Sequence, residues 1–315
     1  MALGCLALAA AACGRADADA DEAATQARTI EVDGAERTYR LHLPPDTDTD
    51  NGSPLPLVVV LHGGGGSGRQ AERSYGWNEV ADREGFAVAF PDALHRAWAV
   101  SDACCGRSVT NDVDDVAFVL EVLDDIGALD DVDIDPDRIA VAGMSNGGMM
   151  AYRLACDTDR FAAIGAVGAT LLGECDAPAP VSVLHIHGTA DESVPFDGGP
   201  GRRDNGGEGN VPLDLDGPAV EDVVARWRGV ADCAAPTTDI RSVVDVDMTR
   251  TSAGCPDGRA VELITIDGAG HQWPGGQRRR LTEHLLDTDA PSGALDATEE
   301  LWVFFADHPA PHADR

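Results

Sequence analysis

Short apolar runs and longer amphipathic segments alternate along most of this chain. Leu57–Leu61 is a continuous run of valine and leucine, as expected for a strand that is covered on both faces. The stretches GFAVAFPD, RIAVAGMS, VSVLHIHG and AVELITIDG repeat this pattern further along. Between them, helical spacing of apolar residues covers Gln70–Glu84, Val113–Leu129, Gly147–Ala155 and Ala219–Val230. The alternation predicts an α/β fold: a mostly parallel sheet with helices on both faces, in a single domain.

Two further segments add to this pattern. Ile30–Val32 and Thr38–Leu43 alternate in the manner of half-buried strands around Asp33-Gly34, which predicts a hairpin. Residues 197–217 form a long glycine-rich and polar insertion. In a compact domain such a loop is either functional or disordered. We expect the folded domain to span residues 29–308.

The first residues have the composition of an export segment. Ala2–Ala12 is apolar but too short to cross a bilayer core of about 30 Å, and Cys13-Gly14 follows small residues, as at the end of a lipoprotein signal. We predict an export signal over residues 1–13, truncated-looking because no basic residue precedes it, with Cys13 as the lipidation site. Residues 14–28 then predict an acidic flexible tether. The protein is expected outside the cytoplasm, secreted or tethered to a membrane through Cys13.

The charge of the chain restricts its partners. It carries 55 acidic and 23 basic residues, all of the latter arginine, for a net charge of −32. Such a surface repels nucleic-acid phosphates and anionic membranes, so the charge disfavours electrostatic binding to either. We interpret the acidic surface as an adaptation for solubility. The oligomeric state is left open.

Six cysteines follow the export segment: Cys104, Cys105, Cys156, Cys175, Cys233 and Cys255. None forms a paired Cys-x-x-Cys zinc motif, and an even number behind an export signal favours disulfides. The sequence alone leaves their connectivity open. Pairing of Cys233 with Cys255 is favoured because the two flank one short connection.

The sequence Gly143-Met144-Ser145-Asn146-Gly147 lies where an apolar run gives way to a helical pattern. Gly-x-Ser-x-Gly between a strand and a helix is the nucleophile elbow of α/β-hydrolases. The turn is so tight that side chains at the two glycine positions would collide. Ser145 is therefore predicted to be the catalytic nucleophile, above the N-terminus of the following helix.

Candidate partners for this serine occur in the order that the fold requires, acid first and histidine second. Asp191 and His271 each follow an apolar run, in HIHGTADESVP and ITIDGAGHQWPGG. His271 is predicted to take the proton from Ser145, and Asp191 to orient the imidazole. Asp197 and Asp267 are alternatives for the acid. Asp197 lies in the glycine-rich insertion, however, and Asp267 is close to His271 in sequence.

The stretch from His62 to Gly66, HGGGG, follows the strand Leu57–Leu61 directly. Glycines at this position let backbone amides approach a substrate oxygen. We predict an oxyanion hole made by the amide of Gly64, or its neighbour, and that of Asn146. A phosphate-binding loop is disfavoured because no Gly-Lys-Ser/Thr follows. His62 itself is predicted to hold the loop by hydrogen bonds.

Five motifs together resemble one known group: LHGGGGSG, CCGRSVTNDVDDVAFV, GMSNGGMMAYRLAC, HIHGTADESVPFDGG and GAGHQWPGG. They look like those of the secreted polyhydroxybutyrate depolymerase and feruloyl esterase group of α/β-hydrolases, which is similar to carbohydrate esterase family one. The resemblance covers about residues 28–305. It implies that Ser145, Asp191 and His271 form a catalytic triad. It also implies that Cys104 and Cys105 belong to the disulfide framework.

Other residues have more than one interpretation. Asp114 and Asp115 resemble paired carboxylates, but we interpret both as caps of the helix that begins near Val116. Trp98 and Trp273 are candidates for an aromatic wall that binds substrate, and burial in the core is the alternative. His185 and His187 receive no functional assignment.

Together these features predict an exported serine esterase that cleaves carboxylic esters through an acyl-enzyme intermediate. No metal or organic cofactor is implied. The alternatives are a serine peptidase of the same fold and a catalytically inactive surface protein that binds polymers. Aryl or acyl esters, polyester oligomers and plant-polysaccharide esters are all possible substrates.

Overall fold

The buried apolar runs form the strands of one sheet in the computed structural model, which describes residues 25–45, 53–278 and 289–311. In chain order the strands are β1 (Thr25–Val32), β2 (Ala35–His42), β3 (Leu55–Leu61), β4 (Ala87–Pro91), β5 (Ile134–Met144), β6 (Ala163–Val167), β7 (Ser182–Gly188), β8 (Thr237–Val243), β9 (Val246–Gly254) and β10 (Ala260–Ile266). Their order across the sheet is β1-β2-β4-β3-β5-β6-β7-β10-β9-β8. The central strands from β4 to β10 are parallel, and antiparallel pairs form both edges.

Helices cover both faces of this sheet, as the sequence predicts. They are α1 (Gly68–Tyr75), α2 (Trp77–Glu84), α3 (Arg107–Thr110), α4 (Asp115–Gly127), α5 (Asn146–Asp157), α6 (Val220–Val230) and α7 (Ala297–Asp307). On one face, α4, α5 and α6 bury Phe118, Tyr152 and Trp227. On the other, α1, α2 and α7 bury a second cluster in which Trp77 stacks on Phe305. Among the described residues, no helix is long and apolar enough to span a membrane.

The connections around β3 determine where a ligand can bind. From β3 the chain turns to β4 on one side, and it later enters β5 on the other side. The carboxyl ends of β3 and β5 therefore diverge into loops on opposite faces and leave a crevice between them. The HGGGG loop follows β3, and Ser145 follows β5, so this topology brings the two motifs together.

Several predicted boundaries differ from the structure. The single helix expected over Gln70–Glu84 is two helices, because Gly76 (φ 81°) adopts a left-handed conformation between them. Strand β1 begins at Thr25, so residues 25–28, which were predicted to be tether, pair with β2 instead. Arg28 is held there by Asp125 of α4, with Nε 2.9 Å from the carboxylate. The predicted export signal and Cys13 lie outside the described residues.

The elements that the sequence pattern did not predict include β6, the β8–β9 hairpin and α7. Strand β6 is short and rich in small residues, and a side chain on its Gly165 would collide with Leu301 of α7. The outer strand β8 is exposed along most of its length, so it lacks the alternation that marks a half-buried strand. These elements depend on contacts with distant parts of the chain.

Three disulfides join the six cysteines as Cys104–Cys105, Cys156–Cys175 and Cys233–Cys255. The predicted pairing of Cys233 with Cys255 is confirmed, and it closes the base of the β8–β9 hairpin. The second bridge connects the end of α5 to the segment after β6. The second and third disulfides close loops of 19 and 22 residues. Each of these two bonds stabilises the fold by about 3 kcal/mol, because it restricts the unfolded chain.

The glycine-rich insertion of residues 197–217 has a defined conformation. Its ends meet where the Gly199 amide donates to the Gly217 carbonyl at 2.9 Å. Its middle packs against the segment around the Cys104–Cys105 disulfide. There the Gly106 amide donates to the Pro212 carbonyl at 2.7 Å, and the backbones of Cys104 and Leu213 form an isolated antiparallel β-bridge. The insertion is therefore packed against the domain through backbone hydrogen bonds, and disorder, one of the two options that the sequence leaves open, is not observed.

Asp114 and Asp115 differ in role. Asp114 caps α4, since its side chain accepts from the Ala117 amide at 2.8 Å. The same prediction for Asp115 is wrong, because its carboxylate is buried and lies 2.6 Å from Arg37 Nη2. It also accepts from the Ala99 amide at 2.8 Å. Burial raises the pKa of Asp115, and the amide and the guanidinium oppose this rise only in part.

Replacing Arg37 with alanine is expected to lower the free energy of unfolding by about 3–5 kcal/mol, because a buried carboxylate would lose its partner. Urea denaturation followed by circular dichroism measures the change. Arg241→Ala is the control, since its partner Asp239 is 58% exposed and surface pairs contribute about 0–1 kcal/mol. Equal stabilities of the two variants would contradict the expectation.

Candidate active site

Ser145 lies in a sharp turn between β5 and α5. Its backbone has φ 54° and ψ −122°, a sparsely populated conformation that is typical of strained functional turns. A side chain on Gly143 would overlap the backbone of Gly147, and one on Gly147 would overlap the carbonyl of Leu61. The two glycines thus remove the collisions that the motif predicts. The Ser145 side chain is partly exposed at the carboxyl edge of the sheet.

Three side chains from different loops meet at this edge. Ser145 Oγ lies 2.8 Å from His271 Nε2, and His271 Nδ1 lies 2.6 Å from Asp191 Oδ2. The loops follow β5, β7 and β10, whose carboxyl ends share one edge because the strands are parallel. The partner of His271 is therefore Asp191. The alternative acid Asp267 instead accepts from the hydroxyl of Thr189 at 3.1 Å.

The carboxylate of Asp191 is buried and fully engaged. Its Oδ1 accepts from the amides of Ser193 and Val194, each at 2.8 Å, while Oδ2 faces His271. Burial on its own would raise the pKa of Asp191, but the hydrogen bond and charge of His271 and the Val194 amide outweigh it. The pKa of Asp191 therefore lies below its ordinary value. The group is an anion with a fixed orientation.

A buried chain of hydrogen bonds leads to the same loop. It runs from the Tyr152 hydroxyl to His185 Nδ1 (2.7 Å), from His185 Nε2 to His187 Nδ1 (2.9 Å), and from His187 Nε2 to the Val194 carbonyl (2.9 Å). His187 Nε2 also lies 3.5 Å from Asp191 Oδ2. Burial lowers the pKa of both histidines, which favours their neutral forms.

The acceptor at one end of this series of hydrogen bonds determines which ring nitrogen of each histidine carries the proton. The Val194 carbonyl only accepts, so His187 carries its proton on Nε2 and accepts at Nδ1. His185 then donates from Nε2 and accepts the Tyr152 hydroxyl at Nδ1. These hydrogen bonds connect α5, β7 and the loop that carries Asp191. The sequence offered one signal for it, since His185 and His187 alternate in a strand and so share a face.

The two residues predicted to form the oxyanion hole lie at the crevice beside Ser145. Gly64 and Asn146 both line it, and a side chain on Gly64 would lie within 3.8 Å of Asn146 Cβ. Asn146 is the first residue of α5, where amides have no acceptor within the helix. Its own side chain is committed elsewhere: Oδ1 accepts from the Trp98 amide at 2.7 Å, and Nδ2 donates to the Trp98 carbonyl at 3.0 Å.

Two side chains hold the HGGGG loop. His62 is buried, with Nδ1 donating to the Gly63 carbonyl at 2.8 Å and Nε2 accepting from the Ala93 amide at 3.1 Å, so its predicted structural role is confirmed. Arg96 was not predicted. Its Nε donates to the carbonyls of Gly65 (2.7 Å) and Gly66 (3.2 Å), and its own carbonyl accepts from the Gly65 amide at 2.7 Å.

The prediction that Trp98 and Trp273 form a substrate-binding wall is wrong. Both rings are buried, with 0% and 3% of their surface exposed. Trp98 lies under the HGGGG loop and donates from Nε1 to the His62 carbonyl at 2.8 Å. Trp273 stacks on Tyr75 and donates to the Thr298 hydroxyl at 3.1 Å. Core packing, the alternative interpretation, is the one observed, because both indole N–H groups find partners inside the fold.

The crevice above Ser145 is a pocket of about 710 Å³, which is large enough for a small ligand. Its floor is formed by Ser145, His271 and the HGGGG loop. The glycine-rich insertion lines it through Arg203, Val211, Leu213 and Leu215, and further lining residues are Cys105, Gly106, Arg107 and Met149. In the described part of the chain, no group of three or more His, Cys, Asp or Glu side chains could hold a metal ion.

Comparison with known proteins places the chain among esterases. The family described as esterase PHB depolymerase matches residues 37–197. NocK of Nocardia uniformis subsp. tsuyamanensis, which is named as an esterase, is 35% identical over 264 residues, or 81% of this chain and 76% of NocK. A protein of Aspergillus niger named as feruloyl esterase C is 30% identical over 135 residues, which are 42% of this chain and 45% of the relative. The chain thus aligns with less than half of that relative.

The solved structures give the same fold. An acetyl xylan esterase from Aspergillus awamori superimposes with a TM-score of 0.55 over 89% of this chain and 99% of its own, at 14% sequence identity. At that identity the match shows the fold alone. The family match covers more than half of the chain, and the match to NocK covers most of it. The chain therefore belongs to the esterase PHB depolymerase family, and it is an esterase-like protein of the α/β-hydrolase fold.

Proposed function

We propose that the protein is an exported serine esterase that hydrolyses carboxylic esters with Ser145, His271 and Asp191 as its catalytic triad. The observation that carries the proposal is the continuous hydrogen-bonded path from Ser145 through His271 to Asp191, at 2.8 Å and 2.6 Å, in a pocket that Gly64 and Asn146 also line. A serine hydroxyl is a weak nucleophile alone, and a base within hydrogen-bond distance activates it.

In the proposed reaction, Ser145 Oγ attacks the ester carbonyl while His271 Nε2 takes its proton. The negative charge on the carbonyl oxygen is stabilised by the amides of Gly64 and Asn146, which need no reorganisation because the fold fixes them. His271 then returns the proton to the departing alcohol and leaves an acyl group on Ser145. Water, activated by His271, releases the acid. Asp191 keeps the imidazole in the tautomer that has a free Nε2 and stabilises its protonated form.

Export is part of the same proposal. Three disulfides in the described residues favour an oxidising compartment, since such bonds are rare in the cytosol. The apolar segment before Cys13 is consistent with a lipoprotein-type signal, which would tether the mature protein to a membrane. Mass spectrometry of the mature N-terminus tests this directly: cleavage at any other position excludes lipidation at Cys13.

The substrates named for the relatives define the first compounds to test. One relative is named as a feruloyl esterase, and a structural neighbour is an acetyl xylan esterase. We propose carboxylic esters of this kind, or hydroxyalkanoate oligomers, as substrates. Comparing p-nitrophenyl butyrate, methyl ferulate, acetylated xylan and hydroxybutyrate oligomers separates these classes.

A fluorophosphonate probe tests the serine mechanism, because it reacts only with an activated serine. We expect one labelled site, at Ser145, identified by peptide mapping. Ser242→Ala, on the exposed strand β8, is the control and retains full labelling. An inactive polymer-binding protein would not react, and a peptidase would react but would also cleave peptides. Absence of labelling at Ser145 would exclude the proposed mechanism.

A further inference from the structure

The pocket differs in charge from the rest of the molecule. Acidic residues outnumber basic ones 55 to 23 in the chain. Among the described residues that line the pocket, however, there is no aspartate or glutamate, and there are three arginines: Arg96, Arg107 and Arg203. A cavity wall of average composition would contain several carboxylates. The inversion of charge is therefore local to the site where the ester binds.

Arg107 and Arg203 both line this pocket and come from two different segments of the chain. Arg107 is the first residue of α3, directly after the Cys104–Cys105 disulfide and Gly106. Arg203 comes from the glycine-rich insertion. Both side chains are exposed, and neither forms an ion pair within residues 25–45, 53–278 and 289–311. Arg96 differs, because its Nε is used to hold the HGGGG loop.

Arg202, the neighbour of Arg203, differs from it in both its ion pairing and its position relative to the pocket. Arg202 is one position earlier, has the same charge, and pairs with Glu192 at 3.3 Å. It does not line the pocket, whereas Arg203 does. In a strongly acidic protein, surface arginines have many carboxylates to pair with. Two arginines that have no such partner among the described residues and line the same cavity are available to a bound ligand.

The surfaces beside these arginines are apolar. Val211, Leu213 and Leu215 extend along the insertion wall, and Met149 and Val194 lie near Ser145. A ligand that matches this pocket has an apolar body and an anionic end. Guanidinium groups bind carboxylates through paired hydrogen bonds, and such charge-assisted bonds are stronger than neutral ones. The local positive charge also offsets the repulsion that the acidic surface exerts on an anion.

We propose that the pocket selects carboxylic esters that carry a free carboxylate, and that Arg107 and Arg203 bind this carboxylate. The proposal rests on the esterase activity proposed above and narrows its substrate class. The carboxylate belongs either to the acyl group, as in a dicarboxylic acid half ester, or to the alcohol, as in a hydroxy-acid unit. In either case the carboxylate would form the same charge-assisted hydrogen bonds with the two guanidinium groups.

The test compares esters that differ only in charge. For the acyl side, the mono-p-nitrophenyl ester of glutaric acid is compared with that of glutaramic acid. For the alcohol side, 4-carboxyphenyl butyrate is compared with 4-carbamoylphenyl butyrate. We expect kcat/KM to favour the carboxylate over the amide by about tenfold or more in one of the two pairs. The pair that shows it identifies the side of the ester that the arginines contact.

Arg107→Gln and Arg203→Gln are each expected to reduce this preference several-fold, and the double variant to abolish it. Arg202→Gln removes the same charge one position away and is expected to retain the preference. Added salt should weaken the preference in the wild type, because part of the interaction is solvent-exposed. The measured quantity is the ratio of the two kcat/KM values, so a general loss of activity does not mimic the effect.

Two failures are distinguishable. If none of the four esters is hydrolysed, the proposed esterase function is contradicted. If the amides are hydrolysed as well as the carboxylates in both pairs, or if the double variant keeps the preference, the esterase function stands and the role of Arg107 and Arg203 is overturned.

Discussion

Replacing Ser145 with alanine is expected to lower kcat for p-nitrophenyl butyrate by about 10⁴–10⁶-fold. The variant retains His271, Asp191 and the amides of Gly64 and Asn146, so the residual rate reports what the proposed oxyanion hole and binding supply without a nucleophile. Initial rates over a range of substrate concentrations measure kcat and KM. We expect KM to change little, because the hydroxyl is not needed to fill the pocket.

The fold of this variant should be unaffected. The turn at Ser145 is held by backbone contacts, including the donation from its amide to the Val167 carbonyl at 2.8 Å. Alanine and serine both carry a Cβ, so the strain of the positive φ is the same in each. Thermal denaturation should therefore give similar midpoints. A folded Ser145→Ala protein that retains more than a few per cent of the activity would contradict the assignment of the nucleophile.

Replacing Asp191 with asparagine is expected to lower kcat by about 10⁴-fold. A carboxylate at this position accepts a hydrogen bond from the N–H at His271 Nδ1, which leaves Nε2 free to act as a base. An amide group that donates towards Nδ1 stabilises the opposite tautomer, in which Nε2 carries the proton and cannot take one from Ser145. Asp267→Asn is the matched control, because Asp267 accepts from Thr189 rather than from His271.

The Asp191→Asn variant should also differ from the wild type in how its stability depends on pH. The pKa of Asp191 is lowered from its ordinary value of 3.8, so its ionised form stabilises the folded state. This contribution is fully present above the ordinary pKa and is lost as the pH falls through the folded-state pKa. Urea denaturation should therefore show a stability difference between wild type and Asp191→Asn that is constant near neutral pH and shrinks in acid. A difference that grows in acid would contradict the assigned direction of the shift.

The chain order of strands and motifs was sufficient to predict much of the site. Ser145, Asp191 and His271 each follow an apolar run, and parallel strands end at one edge of a sheet. The path through these three side chains therefore agrees with the spacing of the motifs. The glycines at 143 and 147 were interpretable for a similar reason, since the tightness of the turn is a local property.

Other features depend on contacts that no local pattern reveals. Arg96 and Gly65 are 31 residues apart, and Tyr152 and His185 are 33 apart, yet each pair is joined by a hydrogen bond. The tryptophans illustrate the same limit. Near a predicted site, an indole ring that lines a pocket and one that supports it from below have the same sequence signature. Only the partners of their N–H groups distinguish the two.

The pocket wall made by residues 197–217 has a consequence for how this framework diversifies. The segment closes on itself at Gly199 and Gly217, and it supplies none of the side chains that meet at His271. Because its two ends lie close together, exchanging this one continuous segment can alter which esters fit without moving the three side chains of the proposed triad. Natural variation in substrate preference among relatives should concentrate there, and grafting experiments have a defined pair of splice points.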